Sequence, residues 1–304
     1  MLQRGRWTMA LDSSARSLPR IDLPQTPLVQ HERFTVHWLQ GLRSQALAQA
    51  LGAAREHTFR AVGEGTGKHL DLDRFDPYYE HLLLVDREGD RLAGAYRLAP
   101  ITSSTPLRQR YLSTLFHLPS ASGEGLADAL ELGRSFIFPT YQRDPAALFL
   151  LWKGIGQCLQ YHGARYLLGP VSVSQHYGVR GQALIAEWLT RQAETSLFSG
   201  RTPLPEVARA WAQAELPPGA SLKDLENLLA DREHGAPPED AMAKVPVLLR
   251  HYLGLGATAL GFNVDHGFGA SLDVLMRVDI TRLRPAVARR YLGTSAKLGL
   301  GRAA

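Results

Sequence analysis

The stretch Glu131-Leu132-Gly133-Arg134-Ser135-Phe136-Ile137-Phe138-Pro139 decides how the rest of this chain is read. Its apolar, aromatic and β-branched residues mark a buried strand, yet Glu131 and Arg134 set two opposite charges into it. Buried charges are costly unless they are paired or used. Successive strand residues point to opposite faces, so these two would face apart on a flat strand. A bulge between them, which Gly133 permits, would bring both to one side. On these residues alone, a structural ion pair at a strand end and a catalytic pair are equally good readings.

Working outward, a strand is expected at Phe34 to Leu39, then a helix capped by Ser44 in which Leu47, Leu51, Ala54, Phe59 and Val62 recur near helical spacing. Gly63, Gly65 and Gly67 stop it. That cluster, ending Gly67-Lys68-His69, superficially matches a phosphate-binding loop. Val62 stands where the first glycine is needed and His69 where a hydroxyl should meet magnesium, so it reads as a flexible glycine loop. An acidic, aromatic run from Asp71 to His81 leads into a hairpin, Leu82 to Asp86 and Leu92 to Leu98, joined by Arg87-Glu88-Gly89-Asp90. Beyond the opening strand, Ala146 to Tyr161 predicts a helix and Arg165 to Val173 a strand broken at Gly169-Pro170. Helices are expected near 182–192 and 222–232 and at Val245 to Leu255, with closing strands at Thr258 to Val264 and Leu272 to Val278.

This order predicts an α/β fold with a mixed sheet rather than a doubly wound parallel one. Residues 1–32 read as a flexible arm, 33–284 as one domain, and 285–304 as a basic tail with Arg289, Arg290, Lys297 and Arg302. Within the domain, the Pro-rich 199–240 reads as a lid or insertion.

The chain has 304 residues, 45% of them hydrophobic, and a formal charge of +5, which suits an acidic partner or anionic surface. Its single cysteine, Cys158, excludes an internal disulfide and a four-cysteine zinc site. No apolar run of signal-peptide or membrane-spanning length occurs, so a cytoplasmic protein, soluble or peripheral on a membrane, is expected. The histidines show no metal-ligand spacing, and no metal is expected. The basic residues are scattered without a nucleic-acid-binding motif, and no nucleic acid is expected.

Several features coincide in order and spacing. Arg55 and Phe59 stand four apart, Asp73 and Asp76 three apart, Arg97 lies in the hairpin, and Glu131 and Arg134 stand three apart. This set resembles the acyl-homoserine lactone synthases, which share the acetyltransferase-like GNAT fold. The wording of Phe75-Asp76, of His81 to Asp86, of Gly94-Ala95-Tyr96-Arg97-Leu98 and of Glu131 to Ser135 is more similar to their relatives, the N-acyltransferases that make ornithine lipids and long-chain N-acyl amino acids, often labelled haemolysin-like. Val245 to Leu253 and Gly261-Phe262-Asn263-Val264-Asp265 resemble that family's C-terminal half. The resemblance spans roughly 34–280 and implies a GNAT-like, mostly antiparallel mixed sheet flanked by helices, with a C-terminal extension.

It also implies a reaction. A fatty acyl group, in some members 3-hydroxylated, moves from an acyl carrier protein thioester, or coenzyme A, to the amine of an amino acid, ornithine first among the candidates. No permanently bound cofactor is needed. A protonated amine has no lone pair, so a proton acceptor is required, and Glu131 takes that role directly or through a water. Backbone N–H groups around Ser135, Phe136 and Ile137 would hold the oxyanion. Arg134 and Arg97 suit carboxylates, one on the acceptor and one on the acidic loop. Asp73 and Asp76 recognise a cationic acceptor or form a structural cluster with Arg55, Arg97 and Arg134. Arg55 reads as structural, His81 as a second base or a hydrogen-bonded structural residue, and Phe59 and Tyr78 as packing residues. Arg143 and Lys153 lie where the fold receives the pantetheine phosphate, with a solvated helix face as the competing reading. The alternatives are an acyl-homoserine lactone synthase using S-adenosylmethionine, and a catalytically silent lipid-binding protein.

Overall fold

The computed structural model describes residues 23–120, 126–193, 198–230 and 244–293. Its strands are β1 Val29–Gln30, β2 Phe34–Leu39, β3 Glu80–Asp86, β4 Arg91–Ile101, β5 Ala129–Ile137, β6 Tyr166–Val173, β7 Phe198–Ser199, β8 Thr258–Asp265 and β9 Ser271–Asp279. They form one sheet in the order β1-β2-β3-β4-β5-β6-β9-β8-β7. Only β5–β6 and β7–β8 run parallel among these neighbours. The helices are α1 Gln45–Arg60, α2 Leu112–Leu115, α3 Pro145–Tyr161, α4 Gly178–Thr190, α5 Glu206–Glu215, α6 Leu222–Ala230, α7 Val247–Gly254 and α8 Pro285–Leu292. The mixed, mostly antiparallel α/β fold is as expected.

Helices α1 and α3 cover opposite faces of the sheet, as the pleat shows. His81 on β3 meets Arg55 of α1, while its neighbour Leu82 lies against Gly154 of α3. Local chemistry starts each helix. The Ser44 hydroxyl accepts the Leu47 N–H at α1, and Asp144 accepts the Ala146 N–H at α3, with Pro145 in the first turn. The helix α3 face between is apolar, burying Leu150, Leu151, Trp152, Ile155 and Leu159 in the main core.

At the centre, β5 and β6 form a fork. Their parallel register covers Ala129–Tyr166, Leu130–Leu167 and Glu131–Leu168 only, though β5 continues to Ile137 and β6 to Val173. The physical cause is in β6. A Cβ on Gly169 would lie 2.3 Å from the Leu132 carbonyl oxygen, so the strands touch there only because position 169 is glycine. The next residue, Pro170, has no N–H to donate.

Four expectations are corrected. The end of the supposed arm is a strand, since Val29 pairs with Val36 in β2; residues 1–22 lie outside the described residues. The Pro-rich segment contains two helices within its described part. α5 was missed because its buried residues are the alanines Ala208 and Ala212, which give a weak hydrophobic signal between Pro205 and Pro217. The tail is not separate from the domain up to Leu292, because α8 rests on α3 where Gly156 leaves room; a Cβ there would meet the Tyr291 carbonyl oxygen at 2.3 Å. Lys297 and Arg302 lie outside the described residues. Tyr78 does not pack: it is 84% exposed, and Tyr79 is the buried ring.

Candidate active site

The bulge expected in β5 is present, one residue further on than Gly133. Register passes from Arg97–Gly133 to Ala95–Phe136, so three steps on β5 oppose two on β4. Arg134 takes the left-handed conformation, with φ 48°, whereas Gly133 does not have a positive φ. For a side-chain-bearing residue that costs about 1–2 kcal/mol. The Arg134 side chain is anchored against this strain: its guanidinium lies between the rings of Tyr111 and Phe268, 5.0 and 4.9 Å from their centroids, and Nη1 donates to the Tyr111 hydroxyl at 3.1 Å.

The bulge leaves Glu131 and Arg134 on the α1 face, linked by two tyrosines. The Tyr79 hydroxyl donates to Glu131 Oε2 at 2.8 Å and accepts the Tyr111 N–H at 2.9 Å. The Leu112 N–H donates to Glu131 Oε1 at 3.2 Å, so both carboxylate oxygens are engaged. Burial raises the Glu131 pKa, while the Tyr79 hydrogen bond and Arg110 oppose it. Tyr79 and Tyr111 were missed by sequence reasoning; the only signal was the density of aromatics beside Asp76.

The expected charged residues do assemble, mostly on one another. Arg55 Nη1 donates to Asp76 Oδ1 at 2.7 Å, and Arg97 Nη1 donates to Asp73 Oδ1 at 2.7 Å and Asp76 Oδ1 at 3.2 Å. Arg134 pairs with Asp71, Nε to Oδ2 at 3.2 Å, and more loosely with Asp73 at 3.9 Å. Burial pushes the Asp76 carboxyl up, but the Arg55 and Arg97 guanidinium groups outweigh it and hold it well below the usual carboxylate range. His81 Nε2 lies 2.9 Å from the Asp76 carbonyl oxygen and so donates to it, leaving Nδ1 to accept from Arg55 at 3.3 Å. Burial and the neighbouring Arg55 depress its pKa to about 3, so His81 is neutral and already committed on both nitrogens. Asp71, which the sequence reading did not single out, completes three carboxylates facing three guanidinium groups.

Beside this network a cavity of about 340 Å³ opens along the free edge of β5. Ser135, Phe136 and Ile137 line it, with Thr58, Phe59, Val62 and Glu64 from α1 and the turn after it, Tyr96 from β4, and Ala147, Leu148, Val247 and Leu248 from α3 and α7. Phe59 meets Phe136 and Phe268 edge-on, with centroids 6.3 and 5.1 Å away. Glu131, Arg134, Asp73, Asp76, Arg97, Arg55 and His81 are not on its wall, and neither is any described residue of the segment read as a lid. The α5 and α6 part of that segment packs on α4 instead, where Trp188 Nε1 donates to the Ala220 carbonyl. Arg143 is exposed just before α3, and Lys153 lies two turns into that helix with Nζ 5.7 Å from the Phe149 ring centroid. The cavity reaches the start of α3 at Asp144 but not these two cations.

A sequence profile described as acetyltransferase (GNAT) domain matches residues 54–153, from α1 through the fork strand β5 to the middle of α3. Those residues are similar to a GNAT domain. A glycine N(alpha)-acyltransferase of Bacteroides thetaiotaomicron is 31% identical over 164 residues, covering 46% of this chain and 46% of the relative. An L-ornithine N(alpha)-acyltransferase of Rhodobacter capsulatus is 34% identical over 110 residues, covering 34% of this chain and 41% of the relative. The match thus spans less than half the length of either relative. A CoA-dependent acyl-homoserine lactone synthase, solved with SAM and isopentyl-CoA, aligns over 82% of this chain and 83% of its own at 14% identity and a TM-score of 0.40. The segment matched by that profile holds all the site candidates read from the sequence, Arg55 to Lys153. No helix of the described residues is long and apolar enough to cross a membrane.

Proposed function

We propose that the protein is an amino-acid N-acyltransferase that moves a fatty acyl group from a thioester to an α-amine. The observation that supports this best is the fork itself: an apolar cavity runs along the unpaired edge of β5 and has a buried guanidinium–carboxylate network directly behind it. An acyl thioester suits the cavity, because its chain is apolar and its carbonyl can lie against the Ser135–Ile137 backbone, where N–H groups would stabilise the oxyanion. Arg134 is the group suited to the acceptor's carboxylate, being the cation of the network that β5 carries immediately before the cavity-lining Ser135. Glu131 is kept as an essential residue acting through Tyr79, since its own oxygens are occupied by Tyr79 and Leu112.

Ornithine and glycine are the acceptors to assay first, as the acceptors of the similar N-acyltransferases. Acyl carrier protein is the preferred donor, and the formal charge of +5 suits an acidic partner of that kind. Arg143 and Lys153 remain proposed contacts for the donor's phosphate or its carrier. The test is to incubate the purified protein with acyl carrier protein and coenzyme A thioesters and a set of amino acids, following thiol release and product mass. An N-acyl amino acid is the expected product. A chain that consumes no thioester with any amine would refute the reading.

A further inference from the structure

The glycine run after α1 is not loose. Gly63 and Gly65 hold φ of 77° and 106°, and the Glu64 N–H between them donates to the Phe59 carbonyl at 2.9 Å. A Cβ on Gly63 would fall 2.4 Å from His176 Cε1, and one on Gly269 2.4 Å from the Gly63 carbonyl oxygen. The Ser174 hydroxyl and Gln175 Nε2 donate to the carbonyls of Val62 and Gly63. On the other side of the turn, Glu56 accepts the N–H groups of Thr66 and Gly67 at 2.9 Å each. Glu64 is therefore carried on a turn fixed by α1, by the segment after β6 and by the β8–β9 connection.

Among the described residues, two carboxylates line the cavity, Glu64 and Asp144. Asp144 is engaged as the cap of α3 and pairs with Arg33 at 3.4 Å. Glu64 accepts no side-chain hydrogen bond among the described residues, unlike Glu131, whose two oxygens are both taken. Near it on the same wall, the buried hydroxyl of Thr58 has no hydrogen-bond partner among the described residues. An unengaged carboxylate and an unpartnered hydroxyl thus share the cavity along which Ser135, Phe136 and Ile137 run.

We propose that Glu64 is the proton acceptor for the attacking amine, a catalytic residue of the N-acyltransferase reading on which this inference rests. The acceptor's ammonium gives one proton to the Glu64 carboxylate, and the freed lone pair forms the C–N bond at the thioester carbonyl. As the C–S bond breaks, the nitrogen's second proton passes to the departing thiolate, leaving amide and thiol. Glu64 then returns its proton to solvent. The surroundings of Glu64 suit this cycle: burial and then Asp273 of β9 push its carboxyl up to about 8, against the pull of Arg134 of β5. A base poised near the working pH takes and releases a proton most readily.

The experiment compares wild type, Glu64→Gln and Glu64→Asp with two nucleophiles: the amino acid, and hydroxylamine, which is largely unprotonated at neutral pH and needs no base to expose its lone pair. Binding of a non-hydrolysable acyl thioester analogue to each variant reports the folded site. The expected result is a loss of roughly 10² to 10⁴ in kcat for Glu64→Gln with the amino acid. Hydroxylamine turnover and thioester binding should change little, and Glu64→Asp should fall between. Undiminished amino-acid turnover by Glu64→Gln, or an equal loss with both nucleophiles, would overturn the role of Glu64 while leaving the acyltransferase reading intact. A wild type inert to both nucleophiles would overturn the two together.

Discussion

Asp76 shows what a single buried charge does here. It is 3% exposed and shared by Arg55 and Arg97, which are 0% and 1% exposed. Replacing it with Asn takes the carboxylate partner from buried Arg55 and one of two from Arg97, which keeps Asp73, and breaking a buried pair in this way costs about 3–5 kcal/mol. The urea midpoint of Asp76→Asn should fall accordingly. The pH dependence has a definite sign. Because the folded pKa lies below the unfolded value of about 4, the stabilisation is present above that pH and is lost as pH falls toward the folded value. Wild type should lose stability in that acid range and Asp76→Asn should lose less of it, measurable as melting temperature against pH. Glu64 has the opposite sign. Its raised pKa means that the folded state favours the protonated form, so its contribution is fully present below the unfolded pKa and is lost as pH rises through about 8. Glu64→Gln should flatten the same curve between the unfolded value of about 4 and about 8. Both effects follow from the environment rather than the residue type, since three aspartates within six positions, Asp71, Asp73 and Asp76, differ in burial and partners.

At the scale of elements, the fork between β5 and β6 is a geometric device set by two adjacent residues. Gly169→Ala would force a Cβ against the Leu132 carbonyl oxygen, and overpacking of that kind costs about 1–3 kcal/mol. The strands would have to separate one step earlier, so the variant should melt lower and bind acyl thioester more weakly, as a calorimetric titration would show. Gly156→Val makes the contrasting case. It would push α8 off α3 by contact with the Tyr291 carbonyl, lowering the melting temperature while leaving thioester turnover near wild type, because neither residue lines the cavity. A matched loss of turnover at constant stability would show that α8 contributes to the site.

At the scale of the whole molecule, one sheet brings together residues from distant parts of the chain. The cavity wall takes contributions from α1, β4, β5, α3 and α7, and the turn bearing Glu64 is braced by Gly269, more than 200 positions along. If the wild-type protein couples ornithine or glycine to a thioester, substituting Arg134 with Gln should raise KM for the amino acid more than it lowers kcat. That split would separate a carboxylate contact from a role confined to holding the β5 bulge.

Period-two and period-3.6 patterning, caps and turn residues were enough to locate β2, α1, the β3–β4 hairpin, β5, α3, β6, β8 and β9, because those signals are local to each segment. The spacing of Arg55, Asp73, Asp76, Arg97, Glu131 and Arg134 likewise stands in the sequence. What the sequence could not supply was which of these groups spend their charge on one another and which face open space. That depends on contacts between segments far apart in the chain. Tyr79 and Tyr111 close around Glu131 only when β3 and the segment before α2 meet over β5. Glu64 sat in a glycine run that local reasoning reads as loose, and its position on the cavity wall arises from His176 and Gly269 packing onto Gly63. Electrostatic desolvation is a property of the assembled surroundings, so which carboxylates pair with guanidinium groups and which line the cavity was decided by the tertiary structure.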